Sequence, residues 1–510
     1  AAAVLELSPA QRTGLGGLQA NPQVFQHIAL GADPSSTESE LSGDMWHVGL
    51  LSPPPVGADA SFGGGGFTAG ASRSGGAGAA GQGAAAELRF GLENESAKLH
   101  IPTLLLWEQQ NPGHVRAALR RLPGANESSI DAWLRRWGVA ASSGPSRLRE
   151  RLQNAALADE QQPQQANLRM QWLGGDLNQN YRLDPLELSL APVLLSADGA
   201  STAAPSGLDA SQAGSQATLP WQRFLTWHSG QRNERHSGGA RIYLNDDNLA
   251  SLHRRLLQIW PLEWANFVIA LRQYGPASGS VAGSGAVTGG DTSALSAADW
   301  TPNFSQPSSY SLASVLDLAD ARIAVPTSGS AGPSTPSGST VSEKKQMLHN
   351  PFSDDMASGR NYLGRLLDEA TVEAATILEG RIDITDAPLE VLVGVPGMDE
   401  PLAQKIIQQR SSAQLATAPE SRQSIAWMVD EGLVELSRLK QLERYLTCRS
   451  DVYTVQAVGY RDRLSPVYRC TAVVDARRLP AQIKNRQVWH AWDRGFAIES
   501  LAPAEVEINE

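Results

Sequence analysis

Hydrophobic and polar positions alternate most clearly near the C-terminal end of the chain. Val452-Tyr-Thr-Val-Gln-Ala-Val-Gly-Tyr460 and Val467-Tyr-Arg-Cys-Thr-Ala-Val-Val474 are rich in β-branched and aromatic residues. The turn-forming Arg461-Asp-Arg-Leu-Ser-Pro466 separates them, so the pair predicts an antiparallel hairpin. Gln487–Trp492 predicts a further strand. Near the other end, Trp46-His-Val-Gly-Leu-Leu51 and Ala86-Glu-Leu-Arg-Phe90 predict two short strands. The simplest arrangement is one sheet split between the two chain ends, with helices inserted between: an α+β protein.

The middle of the chain changes period, from two to about 3.6. It also repeats itself. The first copy carries Lys98–Leu105, then Leu119-Arg-Arg-Leu-Pro-Gly-Ala125 and Ile130–Leu134. The second carries Arg241-Ile-Tyr-Leu-Asn-Asp-Asp-Asn-Leu249 and Trp264–Arg272. The third carries Arg381-Ile-Asp-Ile-Thr-Asp-Ala-Pro-Leu389, Leu392-Val-Gly-Val-Pro-Gly-Met398 and Leu402–Arg410. In each, a short alternating segment ends at a capping residue such as Asn245 or Asp386, and a helix follows, with Pro388 tolerated in its first turn. In copies one and three a Pro-Gly pair turns the chain into a second helix. Leu402, Ala403, Ile406 and Ile407 then form one apolar stripe. The spacing predicts three helix–hairpin–helix units, over 98–137, 241–275 and 381–410.

Composition sets the boundaries. The 47 Gly and 30 Pro of the 510 residues are unevenly spread. The stretches 53–86, 138–166, 196–219 and 275–345 are dominated by small, polar and turn-forming residues. They read as linkers or loops that bury too little apolar area to offset ordering entropy. The expected layout is therefore an N-terminal sheet part over 1–92, an inserted helical domain over 93–445, and C-terminal strands over 446–510. The net charge of −11 opposes a phosphate backbone, which argues against generic nucleic-acid binding. Two cysteines, Cys448 and Cys470, exclude a disulfide framework and a Cys-rich zinc site; one disulfide and two separate thiols both remain open. No run of about 18 apolar residues occurs, and the first residues lack a basic-then-apolar leader. Either the protein is soluble, or an anchor precedes this numbering.

The sharpest chemical motif is Asp176-Leu-Asn-Gln-Asn-Tyr-Arg-Leu-Asp-Pro-Leu-Glu187, which has the spacing of an EF-hand calcium loop. Asp176, Asn178, Asn180, Asp184 and Glu187 would supply side-chain oxygens, and Arg182 its carbonyl. Tyr181 stands where such loops need Gly for a sharp turn. Asp184-Pro-Leu-Glu187 also has the spacing of a capping box with Pro at the first helical position. Both readings are compatible, because the last ligands of such a loop begin a helix. In the third helical unit, backbone N–H groups near Gly394 and Gly397 would cradle a phosphate if the unit bound DNA. Asp399 and Glu400, directly after the hairpin, favour a purely structural hairpin. Asn245-Asp-Asp-Asn248 reads as a redundant helix cap, and His228 and His236 lack ligand or catalytic spacing. The tryptophans Trp133, Trp137, Trp260 and Trp264 sit in the helical blocks, where core packing is their default. There is no nucleophile elbow, Walker loop, zinc motif or acid–base constellation, so no enzymatic activity is expected.

The order of these features resembles the K-type minor pseudopilins of the type II (general) secretion pathway. Gly91-Leu-Glu-Asn-Glu-Ser-Ala-Lys-Leu-His-Ile101 is similar to the family's strand leading into its first helical segment, and Gly380–Leu392 with Val395-Pro-Gly-Met398 to its second. Ser450–Tyr460 is similar to its C-terminal strand. Phe224-Leu-Thr-Trp227 and Trp264–Gly275 look like the enlarged versions found in planctomycete-type bacteria. The likeness spans most of residues 45–475 outside the linkers. It implies a pseudopilin sheet interrupted by a helical insertion of helix–hairpin–helix (SAM-like) repeats, and a calcium-binding, non-enzymatic protein. It also implies a place at the tip of a periplasmic pseudopilus with the I- and J-type minor pseudopilins, near exported substrate proteins and the inner-membrane assembly platform. Two departures stand out. The family's N-terminal membrane helix lies outside this numbering, and the family's asparagine-threonine-alanine-proline element is Ile384-Thr-Asp-Ala-Pro388 here.

Overall fold

A strand buried on both faces belongs in the middle of a covered sheet, and Val452–Tyr460 takes that place, with Thr454 and Gln456 the polar residues on one of its faces. A computed structural model describes residues 1–30, 46–52, 89–136, 221–277, 295–326, 345–352, 362–411, 422–460 and 468–489. They form two units: Ala1–Arg232 with Glu379–Arg410 and Arg449–Glu510, and Asn233–Leu378 with Ser411–Cys448. The protein is mixed helix and strand with an antiparallel sheet, the α+β class its pattern predicts.

In the first unit, strands β1 (Ile28–Leu30), β2 (Trp46–Ser52), β3 (Arg89–Phe90) and β4 (Glu93–Asn94) come from the N-terminal part. After them come β5 (Leu99–His100) and β6 (Leu225–Thr226), a small parallel pair of their own. Strands β7 (Val452–Tyr460), β8 (Tyr468–Asp475) and β9 (Gln482–Trp489) come from the C-terminal part. Seven of these make one sheet in the order β1-β2-β7-β8-β9, with β3 beside β2 and β4 beside β7. The hairpin read from the sequence is present: β7 and β8 pair from Val452 opposite Asp475 to Gly459 opposite Tyr468. The last strand starts at Gln482, earlier than the Gln487 that the alternation suggested. β7 is buried at every position except the half-buried Ala457.

Three short N-terminal helices, which no periodicity announced, supply part of the cover: α1 (Ala2–Glu6), α2 (Pro9–Gly14) and α3 (Pro22–Phe25). Ser8 and Gln11 close a capping box at the start of α2, and Asn21 caps α3. Leu5, Leu18 and Phe25 join Leu50, Leu51, Phe90, Leu92, Tyr453, Val455 and Val474 in one core. Helices α4 (Ile101–Gln110), α5 (His114–Leu119), α6 (Glu127–Arg136), α7 (Leu389–Val393) and α8 (Glu400–Ser411) complete this unit's described part. Residues 93–136, 221–232 and 379–410 thus group with the sheet, where the sequence layout kept all of 93–445 together. Gly380 explains one tight approach. It adopts φ +70°, and a Cβ there would stand 1.9 Å from Thr103 Oγ1.

The second unit is built on the helix Leu262–Tyr274, whose residues Trp264–Gln273 are all buried. Trp260, Trp264, Phe267, Phe352 and Tyr362 pack together around it, with Trp264 and Phe352 centroids 4.6 Å apart. Trp133, in the first unit, is also buried, so core packing holds for the described members of the set, while Trp137 lies outside the described residues. The expected cap is displaced. Asn248, not Asn245, caps Leu249–Leu256, and Asn245 instead exchanges two hydrogen bonds with the backbone of Leu312.

Part of the stretch 275–345, read as a linker, is folded: 295–326 includes the helix Asp317–Asp320 and the strand Ile323–Pro326, which pairs with Lys345–Leu348. The reason lies in polar residues on an otherwise apolar helix. Asn266 Nδ2 donates to the carbonyls of Ala297 (2.8 Å) and Trp300 (2.9 Å). Gln273 Nε2 donates to those of Asn303 (2.7 Å) and Gln306 (3.2 Å), and the Arg272 guanidinium to that of Tyr310. The polar stretch between Trp300 and Leu312 is thereby held through its own backbone, beside buried Ala297, Trp300 and Leu312. Replacing Asn266→Leu leaves two buried carbonyls unpaired and should cost about 2–4 kcal/mol in urea-induced unfolding. A loss under about 0.5 kcal/mol would mean that residues 295–312 are not held this way.

Candidate functional site

Taking a charge out of water costs several kcal/mol unless partners replace the lost hydration. The first unit concentrates such charges where β4 meets β7. Asn94 caps a 3₁₀ turn over Glu95–Ala97, its Oδ1 accepting from Ser96 N at 2.9 Å. That turn places Lys98 Nζ 2.7 Å from Glu95 Oε1 and 3.0 Å from Glu93 Oε1. Glu95 also accepts from Thr454 Oγ1 on β7 (2.7 Å) and from Thr226 Oγ1 on β6. Burial alone would raise the Glu95 carboxyl; the Lys98 charge and the bonds from Lys98, Thr226 and Thr454 hold it below the usual range. Burial would lower Lys98, yet Glu93 and Glu95 raise it. The pair is ionised and saturated.

Further buried groups extend this network. Asn94 Nδ2 donates to Asp383 Oδ2 (2.8 Å), while Asp383 Oδ1 accepts from Thr385 N and Thr385 Oγ1. Burial pushes the Asp383 carboxyl up to about 6, with the Thr385 bonds opposing and the Asp386 charge adding. Asp386, expected to cap the following helix, instead accepts from Gln19 Nε2 at 2.6 Å, and Pro388 stands at the start of α7. Asp451 accepts from Arg12 Nη2 (2.7 Å) and from Arg232 N (2.7 Å), while Arg12 also donates to the carbonyls of Leu5, Leu7 and Ser450. Arg477 pairs with Asp475 and Glu379. Burial, followed by the Arg477 charge, lowers His100 to about 3, so its ring is neutral. Its Nε2–H donates to the Trp227 carbonyl (3.1 Å), and its Nδ1 accepts from Thr103 Oγ1 (2.8 Å). Ser96, Ser229 and Ser450 join hydroxyls at 2.9 and 3.2 Å.

This chemistry joins chain segments. The donors and acceptors named face one another, and the carboxylates are engaged by residues distant in sequence. The sequence reading missed the network, although Glu93-Asn-Glu-Ser-Ala-Lys98, polar residues leading into the apolar Leu99, was a signal for it.

The residues singled out from the sequence fall differently. Asp176, Asn178, Asn180, Arg182, Asp184 and Glu187 lie outside the described residues. Among the described residues no group of three or more His, Cys, Asp or Glu is placed to hold a metal, and no helix is long and apolar enough to cross a membrane. Gly394 and Gly397 lie between α7 and α8. Gly394 N donates to the Val391 carbonyl (3.1 Å), its own carbonyl accepts from His114 Nε2 (2.9 Å), and Leu99 packs 3.2 Å from where a Cβ would stand. Gly397 takes the left-handed turn at φ +80°. Asp399 Oδ1 accepts from Leu402 N at the start of α8, and Glu400 pairs with Arg121 at 3.1 Å. His228 N donates to Thr226 Oγ1, and His236 N to Asp368 Oδ1. In the acidic run of the second unit, Asp246 pairs with Arg255 and Asp247 with Arg272. Neither Cys448 nor Cys470 is in a disulfide.

Compared with family models, with curated proteins and with solved structures, the chain finds no match in any of the three.

Two outcomes follow from the network. Lys98→Met strands two buried carboxylates and should cost about 3–5 kcal/mol in chemical denaturation, whereas a loss below about 1 kcal/mol would show the pair to be solvated. For Asp383, a folded-state value near 6 against 3.8 unfolded means that the native state holds the extra proton between those values. Its contribution is therefore fully present below about pH 4 and lost as pH rises through 6, by on the order of 3 kcal/mol. Asp383→Asn should flatten the fall in stability between pH 4 and 7; an unchanged slope would assign that dependence to other groups.

Proposed function

We propose that the chain is the soluble part of a K-type minor pseudopilin, a non-enzymatic assembly component at the tip of a type II secretion pseudopilus. The observation that carries this reading is the sheet. Strands β1–β4, from residues 28–30, 46–52, 89–90 and 93–94, and strands β7–β9, from 452–460, 468–475 and 482–489, make one antiparallel layer, and residues 95–451 come between the two groups in sequence. A pseudopilin sheet interrupted by a helical insertion has that topology. The α7–α8 pair, turned at Gly397, fits a helix–hairpin–helix unit used structurally, because Asp399 already occupies the N-terminus of α8. The saturated network also suits a scaffold: it joins segments from both chain ends and keeps its charges for itself. In this role the protein works in the periplasm as the outer domain of an inner-membrane-anchored component. It joins I- and J-type minor pseudopilins to start or cap the pseudopilus and meets exported proteins, with calcium held by Asp176–Glu187.

A helix–hairpin–helix DNA-binding or DNA-uptake protein is the other reading. The net charge of −11 and the carboxylates Asp399 and Glu400 at α8 weigh against it.

Mixing the chain with the I- and J-type domains of the same genome, with calcium or chelator, followed by size exclusion, tests the proposal. A ternary peak is expected. Its weakening in chelator, and in an Asp176→Ala, Glu187→Ala variant, would place calcium in that loop. No complex in either condition overturns the tip assignment.

A further inference from the structure

Among the described residues the sheet of the first unit ends at β9 (Gln482–Trp489), of which Gln482–Lys484 and Gln487–Trp489 pair with β8, a bulge at Asn485–Arg486 lying between the two paired stretches. Among the described residues β9 has no neighbour on its other side. An edge this long presents a row of backbone N–H and C=O groups to solvent, the template to which another extended chain adds. The side chains around it are unusual for this protein. The chain carries a net charge of −11, yet Arg477, Arg478, Lys484 and Arg486 lie between Asp475 and Asp493 with no Asp or Glu among them. Arg477 is consumed by Asp475 and Glu379. Arg478 and Arg486 are exposed, Lys484 is half-exposed, and Arg486 donates to the Tyr468 hydroxyl at 3.2 Å. Apolar surface accompanies the charge: Ile483 is 62% exposed, Leu479 54% and Tyr468 45%. Ile483 stands opposite the buried Val474, so the core side of the sheet runs out to this edge uncovered.

We infer that β9 is a docking edge for an extended acidic segment of another protein, which adds as a further strand with apolar residues against Ile483 and carboxylates against Lys484 and Arg486. A second copy of this chain is the wrong occupant. Antiparallel pairing of two β9 strands across their bulges would bring Lys484 and Arg486 of one copy close to those of the other, and like charges brought together across a strand pair are destabilising. The same basic residues that oppose self-pairing attract an acidic strand, so the edge discriminates by charge and holds by backbone. The inference stands apart from the pseudopilus reading, and a failed complex there leaves it untouched.

The probe is a fluorescently labelled acetyl-Glu-Val-Glu-Ile-Glu-Val-amide peptide, titrated into the full chain and read by anisotropy in low and high salt. Binding is expected, weakening with salt. The Lys-Val-Lys-Ile-Lys-Val counterpart should not bind. N-methylation of alternate amides keeps the charge and removes strand donors, and should weaken binding by about tenfold or more. A Lys484→Glu, Arg486→Glu variant, shown by thermal unfolding to be folded, should reverse the preference. Absence of acidic-peptide binding overturns the inference. So does binding that survives N-methylation, which is charge attraction alone. The chain's own residues 505–510, Glu-Val-Glu-Ile-Asn-Glu, begin with the same four residues as the probe and carry as many carboxylate side chains. If binding emerges only after Glu505, Glu507 and Glu510 are replaced by Gln, the edge serves that segment and the partner assignment fails.

Discussion

Lys98 is an ammonium group with 9% of its side chain exposed, and the first unit is arranged around keeping it charged. Glu95 is close by its position one turn away, but a single carboxylate does not replace a hydration shell. Glu93 supplies a second, while Thr226 and Thr454 turn their hydroxyls to the remaining lone pairs of Glu95. Glu93 and Glu95, from β4 and the turn after it, and the two threonines on Glu95, from β6 and β7, together set where a strand from the N-terminal part, a strand from the middle and the central C-terminal strand must meet. Apolar packing of comparable area would contribute as much stability without demanding that geometry. What the ion adds is the penalty on every other arrangement, in which two or three charges would be left without partners.

The same logic recurs at the margins of the network. Arg12 reaches from α2 to Asp451 and to three backbone carbonyls, tying the short N-terminal helices to the start of β7. These helices have four to six residues each and would not persist in water alone. Leu5 and Phe25 anchor them in the core, and Arg12 sets their place along it. Asp383 and Asp386 do the corresponding work for the segment that leads into α7, through Asn94 and Gln19. Asp383 differs from Glu95 in one respect. No cation is hydrogen-bonded to it, so burial dominates and its proton is held more tightly.

A molecule that spends its buried polar groups on itself has to meet partners at its periphery. The loop at Gly394–Gly397 illustrates this: its backbone groups and the adjacent carboxylate already answer one another, which leaves little for an incoming phosphate. The edge of β9 is the opposite case, with backbone groups facing outward and a charge of the sign that the rest of the chain lacks.

Alternation and β-branched composition marked out the C-terminal hairpin, and Trp46–Leu51 read as a short strand, because such residues suit an extended chain packed against a sheet. The blocks read as helical, Trp264–Arg272 and Leu402–Arg410, likewise fall within the helices at 262–274 and 400–411. Three things were decided only in the folded molecule, each for a physical reason. The helices over 2–25 carry too few residues for a period and form through capping and contact. The segment 295–312 is too polar to read as ordered, and is ordered because Asn266, Arg272 and Gln273 bind its carbonyls. The network around Lys98 joins the local run 93–98 to Thr226 and Thr454, whose separation from it along the chain has no local signature. Capping shows the division most clearly. Asn248 lies where the acidic-amide run places a cap, while Asn245 and Asp386, equally suited by local preference, were drawn off to Leu312 and Gln19 because tertiary partners outcompeted the helix ends.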